Sequence, residues 1–116
     1  MATEATGMLF VLSTCNTPEK VEEFQKWYET VHIPDVLATG IFLGASFWRA
    51  PDATPDGQPT FIAQYETTAE NLGRVMDVIR ASVPEWHARG HANPELKVLH
   101  MGTFLKRRAW DAPARK

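Results

Sequence analysis

Two prolines, Pro18 and Pro34, bound the segment that most constrains how this chain can fold. Between them Val21, Phe24, Tyr28 and Val31 recur at three- and four-residue spacing, with Trp27 on the same side. Lys20, Glu22, Glu23 and Lys26 fill the opposite side, so the spacing predicts an amphipathic helix. Thr17 is placed to cap it, Pro18 suits its first turn and Glu19 complements its dipole. Pro34 lacks a backbone donor and disfavours helical geometry at Ile33, so the helix is expected to end or kink just after His32. One short extra turn over residues 35–38, closed by Gly40, should follow.

The rest of the chain alternates between two periods. Residues 7–15 form a short apolar run that reads as a central strand buried on both faces. Residues 41–50 and 60–66 read as two further strands around a proline-rich loop at 51–59. Leu72, Val75, Met76 and Ile79 fit a second helix, capped by Thr67 or Thr68 and ended or kinked by Pro84. An irregular stretch at 85–93 precedes a long last strand at 96–105. This β-α-β-β-α-β order predicts an α+β, ferredoxin-like sandwich: a four-stranded antiparallel sheet with two helices on one face. The expected domain is 1–106, with a loose basic tail at 107–116. The sheet's second face carries large apolar residues, and a two-fold homodimer packed sheet to sheet would cover it.

Bulk properties narrow the partners. A net charge of −2 with a pI near 6.1 leaves no electrostatic footprint for nucleic acid or an anionic membrane. No apolar run approaches the roughly 20 residues that span a bilayer. The N-terminus lacks the basic start and apolar core of a signal peptide, and the lone Cys15 fits a reducing compartment, so a cytoplasmic location is expected. No Gly-rich phosphate loop, nucleophile elbow or nucleotide fingerprint is present.

His32 leads the residues that suit chemistry. Tyr28 lies one helical turn before it and Asp35 just beyond the kink. A neutral imidazole can take a proton near neutrality, and a carboxylate on its other nitrogen would fix the tautomer, a part open to Asp35. Tyr28 can hydrogen-bond a substrate oxygen. The alternative is that Trp27 and Tyr28 are core residues and His32 a C-terminal cap. Ser13, Ser46, Arg49, Gln64, Tyr65 and His100 are polar residues set in apolar strands. Alternation places His100 on the face of Leu96, Val98, Gly102 and Phe104, where it would line a cavity or bond a loop or dimer mate. Arg49 and Tyr65 sit on strands expected to pair, so they can together receive a carboxylate or phenolate; the alternative is that Arg49 marks an exposed strand end. His87 and His91 have zinc-like spacing, but Pro84, Gly90 and Pro94 work against a regular helix there and no third ligand stands nearby. They fit better, with Trp86, as a flap over a cavity mouth. Cys15 reads as a small buried residue.

The run Phe24-x-x-Trp27-Tyr28-x-x-x-His32-x-Pro34-Asp35 resembles the EthD-like branch of the dimeric α+β barrel proteins, and the element order fits almost the whole chain. That resemblance implies a histidine at the mouth of a cavity between helices and sheet, with the match resting on Trp27, Tyr28, His32, Pro34 and Asp35. The wider superfamily includes cofactor-independent lyases, isomerases, cyclases and monooxygenases acting on aromatic or lactone-like molecules. The reading that follows is an enzyme without cofactor or metal, acting by His-assisted proton transfer on an aromatic or conjugated carbonyl compound. His32, Asp35 and Tyr28 would be catalytic, and Trp27, Tyr65, Trp86, His100 and Arg49 would contact substrate. The alternatives are a cofactor-independent monooxygenase and a non-catalytic dimeric module, ligand-binding or stress-related.

Overall fold

A computed structural model describes residues 3–114. The expected domain and tail reach beyond these, by residues 1–2 and 115–116. The order is β1 (Gly7–Cys15), α1 (Val21–Trp27), α2 (Ile33–Leu37), β2 (Gly44–Arg49), β3 (Thr60–Thr67), α3 (Leu72–Ala88) and β4 (Leu96–Leu105). The strands make one antiparallel sheet in the order β2-β3-β1-β4, with the helices on one face. This is the α+β, ferredoxin-like arrangement that the alternating periods predict.

The sheet has one closed face. Leu9, Val11 and Ser13 of β1 and Phe61, Ala63 and Tyr65 of β3 are buried under the helices, against Phe24, Tyr28, Val36 and Val75. Met8, Phe10 and Leu12 point to the other face and are only half-buried. Thus β1 is central but not buried on both sides: the described residues measure 21 Å along the shortest axis, two layers deep, and none of them forms a layer over the outer face. Residues 41–43 do not join the ladder, which starts at Gly44, although Leu43 donates to the Glu66 carbonyl at 2.7 Å.

Both helix starts are satisfied by distant partners rather than by their own threonines. The Thr17 amide donates to Glu95 Oε1 (2.8 Å), and Ala69, which opens the turn into α3, donates to Thr6 Oγ1 (2.7 Å). The Thr67 hydroxyl, for its part, donates to the Ile41 carbonyl (2.7 Å). Neither interior proline stops its helix. Pro84 lies on the exposed face of α3, where water can take up the Arg80 carbonyl that it leaves unpaired, and the helix runs on to Ala88.

Pro34 has a subtler effect. Residues Tyr28–His32 form a π-turn between α1 and α2, in which the Ile33 amide reaches the Tyr28 carbonyl five residues back. The widened turn makes room for the proline ring and lets the chain continue in helical geometry to Leu37, instead of breaking after His32. Gly40 then ends it with a φ of 82°, a left-handed conformation open to glycine without strain. Residues 106–114 have no regular structure; Trp110 is exposed, with the Arg108 guanidinium 4.9 Å from its ring centre.

Candidate functional site

The π-turn is what assembles the site. In an α-helix, residues five apart point about 140° from each other and do not meet. The extra residue in the turn brings Trp27 and His32 onto one side, and their rings stack at 4.9 Å and 19°. Tyr28 meets the imidazole edge-on at 5.0 Å and 88°, and Trp86 from α3 does so at 5.8 Å and 80°. Three aromatic rings therefore set the orientation of His32. Single π-turns inserted in a helix in this way are found frequently at functional sites.

These rings border a cavity of about 430 Å³ between sheet and helices. Leu9, Val11 and Tyr65 form its floor, Val36 and Ile79 its sides, and Ala92, Asn93 and Pro94 part of its roof. Val83, Val98 and Met101 also line it yet are 36%, 44% and 40% exposed, which marks the mouth between α3 and the edge strand β4. The lining has no Lys, Arg, Asp or Glu. Burial dominates the imidazole's titration and pushes His32 down to about 4, against a smaller upward pull from Asp35. The ring is neutral at pH 7.

Beneath this space three hydroxyls converge without satisfying one another. Ser13, Tyr28 and Tyr65 are at most 1% exposed, and their hydroxyl oxygens have no hydrogen-bond partner among the described residues. Tyr28 is near enough to Ser13 and to Tyr65 to alter acidity, yet no well-formed hydrogen bond joins the three. Burial raises both phenols, more strongly for Tyr65, so both stay protonated donors. Buried hydroxyls left unpaired are uncommon and costly.

Several expected site residues stand elsewhere. Asp35 does not hold His32: its Oδ2 lies 2.7 Å from His91 Nδ1, and no hydrogen bond joins it to His32 among the described residues. The widened turn carries Asp35 around the helix toward the loop after α3. His91 is fixed a second time, because Trp27 Nε1 donates to its carbonyl at 2.8 Å. The 90–94 segment is thereby tied down across the cavity roof. His100 faces away. A bulge leaves Leu99 unpaired, since Ser13 pairs with Val98 while Leu12 pairs with His100. That extra residue flips the alternation, so Leu96 and Val98 face the helices, and His100 lies on the outer face beside Phe10 (6.2 Å) and Phe104 (6.5 Å). Arg49 is also outside the cavity. Its guanidinium reaches Gln25 Oε1 (2.9 Å) and Glu22 Oε1 (3.2 Å) on α1, so it is not available to receive a carboxylate with Tyr65. Trp27, Tyr28, His32, Tyr65 and Trp86 all line the cavity.

His87 also lines it, from a regular helical turn, and His91 lies just past the helix end. Among the described residues no three His, Cys, Asp or Glu side chains are grouped to hold a metal ion. No helix there is long and apolar enough to cross a membrane. Cys15 is fully buried, with its thiol against the Thr17 carbonyl, and burial raises its pKa.

Among solved structures, the chain is similar to HapK from Hahella chejuensis, with a TM-score of 0.59 and 9% identity, covering 93% of this chain and 99% of that one. This likeness establishes the shared fold. An EthD family protein from Bacillus halodurans C-125 is also similar, at 20% identity over 82% of this chain and 96% of that one, with a TM-score of 0.49. No curated protein sequence matches the chain. A family model covers residues 8–107, nearly the whole fold, and by that match the chain belongs to the family described as "Domain of unknown function (DUF4286)".

Proposed function

We propose that this protein is a small enzyme that moves a proton on an aromatic or conjugated carbonyl compound, with His32 as the proton carrier. The observation that carries the reading is a neutral imidazole, clasped by three rings, at the wall of an apolar cavity large enough for a bicyclic molecule. A base with a pKa near 4 is always free to accept a proton at pH 7, but it is a weak base. It suits a proton made acidic by an adjacent carbonyl whose oxygen gains charge as the proton leaves. The phenols of Tyr28 and Tyr65 supply donors for such an oxygen. His32 can then return the proton to the same carbon or to a conjugated one, which is the core step of isomerisation and of several cyclisations and decarboxylations.

The weakness of that base favours one rival reading, a module that binds the same ligands without turning them over. Deuterium exchange separates the two. Bicyclic aryl methyl ketones incubated in D2O with the protein should exchange their methyl protons faster than buffer allows, and His32→Ala should reduce the enzymatic part roughly 100-fold or more. No acceleration across the panel, or equal acceleration by the variant, would remove the catalytic reading.

The proposal includes a homodimer in the cytosol. Its support is the uncovered sheet face, where Phe10, His100 and Phe104 cluster and Trp48 is 59% exposed. Light scattering should return about twice 13.0 kDa at micromolar concentration; a monodisperse monomer would contradict sheet-to-sheet packing.

A further inference from the structure

The hydroxyl cluster specifies more about the ligand than proton transfer requires. Three neighbouring hydroxyls, at most 1% exposed, have no hydrogen-bond partner among the described residues, and two of them belong to Tyr28 and Tyr65, which line the apolar cavity. A folded chain tolerates this when an outside oxygen completes the set, since each hydroxyl can donate once and accept besides. Burial keeps both phenols protonated, so each retains a donor to offer a newcomer. An acceptor oxygen on the ligand fits them.

The rest of the lining restricts charge as well. It holds no lysine or arginine, His87 is exposed at its edge, His91 is already held by the Asp35 carboxylate, Arg49 is tied to Gln25 and Glu22, and His32 is neutral at pH 7. A carboxylate entering this space would lose its hydration with no lysine or arginine to offset the loss. We infer that the Tyr28 and Tyr65 hydroxyls, with Ser13 next to Tyr28, form a receptor for one uncharged oxygen, a ketone, lactone carbonyl or phenol, at the end of an otherwise apolar ring ligand. The receptor selects such ligands over their carboxylate analogues.

This inference deepens the proposed function by naming the ligand class, and it rests on the same cavity, but it is tested by binding alone. Calorimetry or tryptophan fluorescence at pH 7 would compare three probes of one shape: acetylnaphthalene, its isopropenyl isostere, which lacks the oxygen, and naphthoate. The ketone should bind about 5-fold or more tightly than the hydrocarbon, the scale of one net hydrogen bond, and naphthoate at least about 10-fold more weakly than the ketone. Tyr65→Phe should abolish the preference for ketone over hydrocarbon while hydrocarbon affinity persists. If that variant does not fold, Ser13→Ala and Tyr28→Phe should each narrow the preference, and the wild-type comparison decides independently. Equal binding of ketone and hydrocarbon overturns the receptor, as does tighter binding of naphthoate or no binding of any probe. A ketone preference without deuterium exchange would uphold the receptor and overturn only the catalytic role of His32.

Discussion

Replacing His32 by Gln should flatten the acid side of the stability curve. In the unfolded chain this imidazole titrates at its ordinary 6.5, whereas burial lowers it to about 4 in the fold. Between those values the unfolded state binds a proton that the folded state refuses. Stability from this site is therefore complete above pH 6.5 and is lost as pH falls through 6.5 toward 4. At about 1.4 kcal/mol per pH unit the gap corresponds to about 3 kcal/mol. The ring retains some contact with solvent, so about 2 kcal/mol is the figure to expect. Glutamine has comparable length and does not titrate. Urea unfolding at fixed protein concentration, measured for both proteins from pH 7.5 to 4, cancels the groups that they share. The wild type should lose about 2 kcal/mol more than His32→Gln over that range. Parallel curves would mean that His32 is as easily protonated in the fold as in water, and the argument for a neutral, desolvated imidazole would fail.

Two other substitutions probe the site from its sides. Tyr28→Phe removes a buried hydroxyl that has no partner, so thermal unfolding should show stability unchanged or raised by up to about 1 kcal/mol; a loss beyond 1 kcal/mol would show that the hydroxyl is well bonded after all. His91→Ala removes the contact with Asp35 but leaves the carbonyl that Trp27 holds, so amides at 90–93 should exchange with deuterium several-fold faster while those of β1 and β3 do not change. Unaltered exchange at 90–93 would mean that the Asp35 contact does not restrain the roof.

The sequence made the fold legible wherever a period was long enough to count. Val21, Phe24 and Tyr28 marked α1 and the turn that follows it, Leu72 to Ile79 marked α3, and the apolar run at 7–15 marked the central strand. What it did not disclose were effects that depend on a single residue or on a distant partner. Pro34 announces a disturbance, but whether the helix breaks or widens depends on whether the chain beyond it can still bury Val36. Pro84 was tolerated because it happens to face water. One unpaired residue, Leu99, moved His100 to the opposite face, and no local pattern signals a bulge of that kind. The pairing of Asp35 with His91 spans 56 residues and could not be read from the short spacing between His32 and Asp35. In the site, the aromatic spacing of Trp27, Tyr28 and His32 was informative, whereas the partnerless hydroxyls of Ser13 and Tyr65 became visible only once the strands were paired.

The most direct test is a crystal structure of the protein with acetylnaphthalene bound. The account predicts the naphthalene ring in the cavity between sheet and helices, beside Trp27 and Trp86. The carbonyl oxygen should lie within hydrogen-bonding distance of the Tyr28 or Tyr65 hydroxyl, with the methyl carbon against the imidazole of His32. A ligand found only on the outer face of the sheet, or one seated with its oxygen toward the mouth and away from those hydroxyls, would contradict it.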